Sequence, residues 1–463
     1  MINPIHVISI IFTMVIVTVI GVYSMKKIKT SGDFAVGGRK VGPLLIAGTV
    51  VGSFIGGGAT IGTAELAYQV GFSAWWFTLG GGIACLILGL FLSKPLRGSN
   101  LTTAPQFLAR VYGSEVGTYV SIFTSIGTFF GIVVQILSII ALFSSMFGLG
   151  PLTASIIAVI LIISYVLFGG VWGTSIIGAI KSALVYVAFV TAGILAYIKI
   201  DGVAGLAEFP SYPWFSLFGQ GYSTDLAAGF SVIVGILSTQ IFIQAMFSAK
   251  DVTAARWGTV ISAFLIIPTG IAGVLVGLFM RSSYPVISPR DALPLFVLNH
   301  MSPWLGGMVW TALFISVIGT AAGLTLGMCT TIGHDIYKKI IRPQASDAQV
   351  LRAIRTLIVV TVFLALVFVQ RNLNTLILKW SFTSMGLRGA TMCLPLISAI
   401  FLKGRIAPKA VRAAVIAAPS AVVLWAVFGP RYIDPLYIGL SLSFFLIAAG
   451  YFLSNTKKYG LEQ

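Results

Sequence analysis

Charged side chains inside long apolar segments are the residues best placed to do chemistry in this sequence. Glu65, Lys181 and Arg388 each lie well inside such a segment, and Lys379 lies near the start of one, where its side chain can snorkel. A charge at membrane depth costs at least ~2.5 kcal/mol on insertion scales, so it usually faces a cavity and serves a function. A carboxylate, an ammonium and a guanidinium can bind charged groups of a solute or carry a proton.

Glu65 follows a cluster of glycines in VGSFIGGGATIGTAELAYQVG, residues 51–71. Each glycine lowers helix stability by ~1 kcal/mol, so the contiguous glycines 56–58 favour an unwound turn. Unwound backbone within a membrane is tolerated only where it lines a cavity, and there its carbonyl groups can bind cations and its amides anions. Close helix packing through small residues is the alternative, above all for Gly52 and Gly56.

A second polar interruption lies in VGILSTQIFIQAMFSAKD, residues 234–251. Ser238, Thr239, Gln240 and Gln244 occupy positions in the middle of this segment, where they can bind a solute or hold helices together. The two interrupted segments lie five predicted helices apart and run in opposite directions. That arrangement is typical of an inverted repeat whose broken helices meet at the membrane midplane.

The composition is that of a membrane protein. Of the 463 residues, 57% are hydrophobic and 9% are charged, against roughly 25% charged in soluble domains. A helix needs ~20 apolar residues to cross the bilayer core, and the sequence predicts thirteen such helices. The predicted helices cover residues 5–25, 44–70, 72–93, 116–147, 151–168, 172–198, 226–249, 254–280, 303–335, 352–370, 374–402, 408–428 and 434–454.

These helices predict an all-α integral membrane protein with a five-plus-five inverted repeat and discontinuous first and sixth core helices. The predicted domains are an extra N-terminal helix with its cytoplasmic loop, the first repeat, an extracellular loop, the second repeat, and two C-terminal helices with a tail. Their boundaries are, in that order, residues 1–43, 44–198, 199–225, 226–402 and 403–463.

The net charge of +17 follows the membrane topology and does not indicate nucleic-acid binding. With the N-terminus outside, the cytoplasmic loops hold 21 basic residues and the outer loops hold 5. This asymmetry follows the positive-inside rule. It predicts a multi-pass plasma-membrane protein with a cytoplasmic C-terminus.

Neither an enzyme nor a channel is indicated. The three histidines fall at or near segment ends, and the three cysteines lack the spacing of a disulfide or a metal site. A channel needs a continuous polar pore or a repeated filter sequence, and the sequence has neither. We expect a secondary transporter whose partners are a small solute and the lipid bilayer, with no obligatory protein partner and no cofactor beyond a sodium ion or a proton as coupling ion.

Several motifs, in order along the chain, resemble the sodium:solute symporter family, which has the LeuT-type fold of the APC superfamily. They are SGDFAVGGRKVGPLLIAGTVVGSFIGGG (31–58), AYQVGFSAWWFTLG (67–80), FFGIVVQILSIIALF (129–143), FGGVWG (168–173), STQIFIQAMFSAKD (238–251) and HDIYKK (334–339). The resemblance implies alternating-access transport of a small solute, usually driven by sodium. It also implies that Gln135 faces the substrate.

The resemblance further implies a sodium site built from backbone carbonyls of the first core helix and hydroxyls of the eighth. The family often has adjacent hydroxyl residues where this chain has Gly319-Thr320, so one hydroxyl ligand is missing here. The matching positions are Gly52, Ile55, Ser316, Gly319 and Thr320, and the candidate sodium ligands among them are Gly52, Ile55, Ser316 and Thr320.

The fifth core helix departs from the family pattern as well. The family has Thr-Asp there, with Gln three residues after the Asp, and this chain has Ile177, Gly178 and Lys181. The flexible lysine stem can place its ammonium where sodium would sit. In some LeuT-fold relatives of another family, a lysine of this region stands in for sodium in this way and takes part in proton coupling. Burial disfavours the charged form of lysine, so Lys181 is also a candidate proton carrier. The alternative is that it snorkels to the inner interface.

Glu65 and Arg388 are expected to face one cavity. Glu65 would hold a substrate ammonium and Arg388 would clamp a carboxylate, which suggests an amino-acid-like zwitterion. Three alternatives stay open: the two side chains pair with each other, Glu65 carries the coupling proton, or Glu65 holds a cationic amine. Neutral hydrogen bonds to the substrate are expected from Gln135, Thr239, Gln240 and Gln244.

Overall fold

The protein is helical throughout the residues that the computed structural model describes, which are 3–25, 41–101, 103–169, 176–430 and 433–459. Side chains are described for 3–16, 41–101, 103–167, 181–430 and 433–454. Residues 31–40 of the first family motif and 170–173 of FGGVWG lie outside the described residues, and the side chain at position 178 is not described.

The helices follow one another with short connections. In chain order the α-helices are α1 Pro4–Met25, α2 Pro43–Phe54, α3 Thr63–Val70, α4 Trp76–Ile87, α5 Ser93–Gly98, α6 Ala104–Tyr112, α7 Ser114–Phe147, α8 Pro151–Gly169, α9 Ile176–Lys199, α10 Gly202–Leu206, α11 Ser211–Trp214, α12 Tyr222–Leu237, α13 Gln240–Ser248, α14 Val252–Ser283, α15 Ala292–His300, α16 Pro303–Thr331, α17 Asp347–Gln370, α18 Ile377–Phe401, α19 Pro408–Phe428 and α20 Pro435–Tyr459. The π-helices are Gly58–Gly62, Leu88–Leu92 and Ile332–Ile341, and the 3₁₀ helices are Gly71–Trp75 and Pro289–Asp291.

Within the described residues, nine helices are long and apolar enough to cross a membrane, and the bent pair of α12 and α13 makes ten. Three shorter apolar helices accompany them, Pro4–Ile16, Pro43–Phe54 and Pro151–Leu167. Helices suit this environment because all their backbone hydrogen bonds are internal. The count of thirteen membrane helices stays a prediction, as do the domain boundaries and the orientation of the chain in the membrane.

The first core helix is broken where the glycines predict a break. Helix α2 ends at Phe54, Ile55 leaves the helical conformation at φ −75° and ψ 83°, and helical structure resumes at Gly58. The N–H of Gly57, freed by the break, donates to Oε1 of Gln135 at 2.9 Å. A β carbon at position 57 would collide with the side chain of Ser138 on α7, so close packing and unwinding both operate here.

The sixth core helix is broken as well. Helices α12 and α13 meet at 43°, with Ser238 and Thr239 between them. Thr239 has the extended values φ −99° and ψ 122°. The prediction of two discontinuous helices is therefore confirmed.

Two connections contain short helices that are not among the thirteen predicted membrane helices. Helix α6 lies between the second and third core helices, and Thr103 caps it by accepting the N–H of Gln106 at 3.2 Å. Helix α15 lies between α14 and α16, directly after the 3₁₀ turn Pro289–Asp291. The N–H of Lys250 donates to the carbonyl of Val41 at 3.0 Å, which joins the end of α13 to the start of α2.

Candidate functional site

A cavity lies between the two broken helices and α7, α16 and α18. Its walls are partly apolar, with Phe54, Phe77 and Phe242 among the lining residues. Such a chamber, mostly apolar with a few convergent polar groups, is typical of a small-molecule site. The polar residues that line it are Ser53, Gln135, Thr239, Thr320, Ser381, Ser384 and Arg388.

Arg388 brings a buried positive charge to this cavity. Its side chain is only 3% exposed, and Nη1 donates to Oγ1 of Thr239 at 2.8 Å. Nη2 donates to Oγ of Ser384 at 2.9 Å, and Nε donates to the carbonyl of the same residue at 3.1 Å. No carboxylate of the described residues pairs with Arg388. A buried charge without an opposite charge is costly to fold, so a guanidinium kept in a cavity points to an anionic ligand.

The structure brings some predicted neutral contacts to the cavity and leaves others elsewhere. Gln135 and Thr239 line it. Gln240 does not: its Oε1 accepts the N–H of Ala104 at 2.9 Å and holds the start of α6 against α13. Gln244 is not a lining residue either.

Two serines of the cavity were missed in the sequence. Ser381 and Ser384 precede Arg388 by seven and four residues on α18 and line the same cavity. Residues at such spacings share one face of a helix. That spacing relative to Arg388 is the signal that would have found them.

Glu65 does not face the cavity with Arg388, and the two side chains are not paired. Its Oε2 accepts the backbone N–H of Ile377 at 2.7 Å. Its Oε1 lies 4.0 Å from Nε of Arg290. Glu65 is buried and absent from the lining residues. The physical reason is that the first N–H of α18 holds its carboxylate, with the Arg290 guanidinium at the limit of ion-pair distance.

The surroundings of Glu65 contain a second, partly buried acid. Oδ1 of Asp291, beside Arg290, accepts the hydroxyl of Ser145 at 2.7 Å. Burial raises the pKa of the Asp291 carboxyl, and the Ser145 hydroxyl and Arg290 oppose that rise. These contacts join α3, α7, α18 and the turn before α15.

Lys181 extends towards the predicted cation site. Its side chain is 5% exposed, and Nζ donates to Oγ1 of Thr320 at 3.3 Å. A β carbon built on Gly319 would lie 3.0 Å from this Nζ. The missing side chain at Gly319 therefore makes room for the ammonium, so the two departures from the family pattern fit each other in space.

The remaining residues of the predicted cation site lie at the break of the first core helix. The hydroxyl of Ser316 donates to the carbonyl of Ile55, which the break frees from the helix. Gly52 is buried in the last turn of α2, just before the break. The structure thus gathers the Ile55 carbonyl, the Ser316 and Thr320 hydroxyls and the Lys181 ammonium along α16. It does not provide a carboxylate there among the described residues.

Comparison with known families gives one match over most of the chain. The model of the sodium:solute symporter family matches residues 34–417. The chain is 22% identical to the high affinity choline transporter 1 of Homo sapiens over 77% of its own length and 65% of that protein. It is 22% identical to the high-affinity proline transporter PutP of Bacillus subtilis (strain 168) over 88% of its own length and 89% of that protein. The family and these relatives are transporters and not enzymes.

Comparison with solved structures concerns the fold. A Na⁺-coupled sialic acid symporter in its substrate-bound outward-open state superposes with a TM-score of 0.76, at 18% identity and 98% coverage of both chains. A nucleobase-cation-symport-1 family transporter superposes with a TM-score of 0.60, at 14% identity, covering 90% of this chain and 94% of that one. The LeuT-type five-plus-five fold is thereby confirmed.

Proposed function

Because the chain belongs to the sodium:solute symporter family, we propose that it is a secondary symporter for a small organic solute that bears a carboxylate. One observation carries this proposal: the guanidinium of Arg388 lies buried in the cavity between the two broken helices, with no carboxylate of the described residues beside it. The planar fork of an arginine matches a carboxylate with two parallel hydrogen bonds. Alternating access then moves the solute across the membrane.

The relatives differ in the charge of the solutes that their names give. Proline bears a carboxylate, whereas choline is a cation, and the chain matches transporters of both. Arg388 supports the former chemistry. The Glu65 carboxylate contacts the N–H of Ile377 and lies 4.0 Å from Arg290. These contacts give no support to the binding of a cationic amine, or of the ammonium group of an amino acid, by Glu65.

The coupling ion is a second question, on which the family and this chain differ. The family implies sodium as coupling ion. We propose that the Lys181 ammonium takes the place of that sodium and that a proton is the coupling ion. The position of Nζ against Thr320 and the vacant side-chain space at Gly319 support this proposal.

Uptake into proteoliposomes tests both statements. A screen for thermal stabilisation by carboxylates, amino acids, amines and sugars identifies a solute, whose uptake is then measured with a sodium gradient alone and with a proton gradient alone. We expect saturable accumulation against the solute gradient, driven by the proton gradient. Accumulation that requires sodium would contradict the lysine proposal, and equal uptake by wild type and Arg388→Gln would contradict the carboxylate clamp.

A further inference from the structure

We propose that the solute is a net anion, a monocarboxylate whose apolar body carries no ammonium group. This inference rests on the proposed function and narrows its solute class from any carboxylate-bearing molecule to one that is not a zwitterion. It depends on which groups around the cavity are free to receive a cation.

The first observation concerns the acidic side chains. Of the 12 acids in the sequence, Asp33 and Glu462 lie outside the described residues, which leaves ten, and none of these ten lines the cavity. The buried ones are engaged elsewhere: Glu65 with Ile377, and Asp225 with the Ser73 hydroxyl at 2.8 Å. A solute ammonium would therefore find no carboxylate partner among the described residues.

The second observation concerns backbone carbonyls, which could hold an ammonium in place of a carboxylate. At the break of the first core helix each carbonyl from residue 54 to residue 58 already accepts a hydrogen bond from the protein. The N–H of Gly56 donates to the carbonyl of residue 54, and the Ser316 hydroxyl to that of residue 55. The N–H and hydroxyl of Thr60 donate to the carbonyl of residue 56. The N–H of Gly62 donates to the carbonyl of residue 57, and the Thr63 hydroxyl to that of residue 58. At the break of the sixth core helix, the Thr239 hydroxyl donates to the carbonyl of Gly235 at 2.5 Å. A solute ammonium would have to compete with these donors for the carbonyls of the first break.

The third observation is the charge of the walls. The Arg388 guanidinium lines the cavity, and the Lys181 ammonium is bonded to Thr320, which also lines it. Two positive charges without a negative one attract an anion, and they repel a second cationic group on the solute.

The fourth observation distinguishes an organic carboxylate from an inorganic anion. Arg388 has five N–H donors. Three go to Ser384 and Thr239, and one on Nη2 points to the sulfur of Met385 at 3.3 Å, a weak acceptor. One donor on each terminal nitrogen is therefore available to a planar carboxylate. The rings of Phe54 and Phe77, with centroids 5.2 Å apart, give the rest of the chamber an apolar wall.

Binding of matched pairs tests the inference directly. The full-length protein in detergent is titrated with 3-phenylpropanoate and phenylalanine, 4-methylpentanoate and leucine, and cyclopentanecarboxylate and proline, with choline and nitrate as further probes. The readout is the rise in melting temperature, converted to an apparent Kd. We expect at least one carboxylate to bind ~10-fold or more tightly than its amino acid partner, about 1.4 kcal/mol. An amino acid that binds as tightly as its partner overturns the inference, as does binding of choline or nitrate alone, or of no carboxylate.

The single variant Arg388→Gln and a matched pair at position 381 separate this inference from the proposed function. If amino acids bind and Arg388→Gln abolishes their binding, the clamp stands and the anion inference falls. If Arg388→Gln binds carboxylates as wild type does, the clamp itself falls. Ser381→Asp places an acid in the cavity, and Ser381→Asn is its neutral control. In Ser381→Asp the ratio of carboxylate affinity to amino acid affinity should shift at least ~10-fold towards the amino acid. In Ser381→Asn the ratio should stay as in wild type. If the ratio stays unchanged in Ser381→Asp as well, the charge argument is contradicted.

Discussion

The carboxylate of Glu65 accepts the backbone N–H of Ile377, 2.7 Å away. Ile377 is the first residue of α18, and the first amides of a helix have no partner within the helix. Negative charge is also favoured at a helix N-terminus. Glu65 therefore fastens the second half of the first core helix to the start of the tenth, with Arg290 as a more distant partner.

Removal of this carboxylate should destabilise the protein. Glu65→Ala leaves a buried N–H without an acceptor, which costs about 1–3 kcal/mol, whereas Glu65→Gln keeps an acceptor and should lose less. The melting temperature of the purified protein in detergent measures both. Arg290→Gln is the matched control, with a smaller expected effect because Arg290 is partly exposed and 4.0 Å from Glu65. An unchanged melting temperature in Glu65→Ala, together with lost solute binding, would instead place Glu65 in the binding site.

Lys181 should decide the coupling ion. Lys181→Gln should express and melt like wild type within a few degrees but lose accumulation driven by a proton gradient, since no ammonium is left to exchange a proton. Uptake into proteoliposomes with imposed gradients measures this. Lys379→Gln, on an exposed lysine near the start of α18, is the matched control and should accumulate solute normally. Proton-driven accumulation that survives in Lys181→Gln would contradict the proposal.

Gly319 should be needed for that lysine. A β carbon at position 319 would lie 3.0 Å from Nζ of Lys181, tighter than ordinary packing, so Gly319→Ser should displace the ammonium and reduce proton-driven uptake several-fold. Gly323→Ser is the control, because a β carbon there meets only the end of Ile241 at 3.7 Å. In the combined variant Gly178→Asp, Lys181→Gln and Gly319→Ser, which restores the Asp, the Gln and the adjacent hydroxyl of the family pattern, sodium should stimulate uptake. If Gly319→Ser transports as wild type does, the spatial fit of these two residues has no functional weight.

The sequence predicts the features that depend on local composition or on the depth of a residue. Contiguous glycines and a polar run in apolar segments mark both broken helices, because local propensity and the requirement for backbone hydrogen bonds act over a few residues. Arg388 and Lys181 stand out because charges are rare at membrane depth. The fold, both breaks and the burial of these charges therefore follow from sequence.

Contacts between distant segments do not follow in the same way. Glu65 and Ile377 are 312 residues apart, and Arg290 lies in a connection that periodicity describes only as a loop. Gln240 turns to the N–H of Ala104, the first residue of a short helix outside the predicted membrane helices. Tertiary packing decides which partner forms a hydrogen bond with a buried polar group. The sequence therefore predicts which types of residue form the site, but only some of the residues that line the cavity.

Asp291 should make stability depend on pH. Burial raises the pKa of its carboxyl above the unfolded value, so the folded protein binds more protons than the unfolded one just above the ordinary aspartate range. Stability is therefore lost as pH rises through this window. Asp291→Asn should lose this dependence, so its melting temperature relative to wild type should rise between pH 4 and pH 7. Ser145→Ala removes a hydrogen bond that lowers the pKa, and it should extend the window to higher pH. Parallel pH profiles for all three proteins would contradict this account.

The charge carried per cycle should distinguish the lysine mechanism from sodium-driven transport. If one monocarboxylate enters together with one proton that Lys181 binds outside and releases inside, no net charge moves. Uptake driven by a proton gradient should then be insensitive to a potassium diffusion potential set by valinomycin. In Lys181→Gln the anion would move alone, so the remaining uptake should rise several-fold with an inside-positive potential and fall with an inside-negative one. Potential-sensitive uptake by the unmodified protein would mean that charge crosses the membrane with the solute, as it does when more than one cation accompanies an anion.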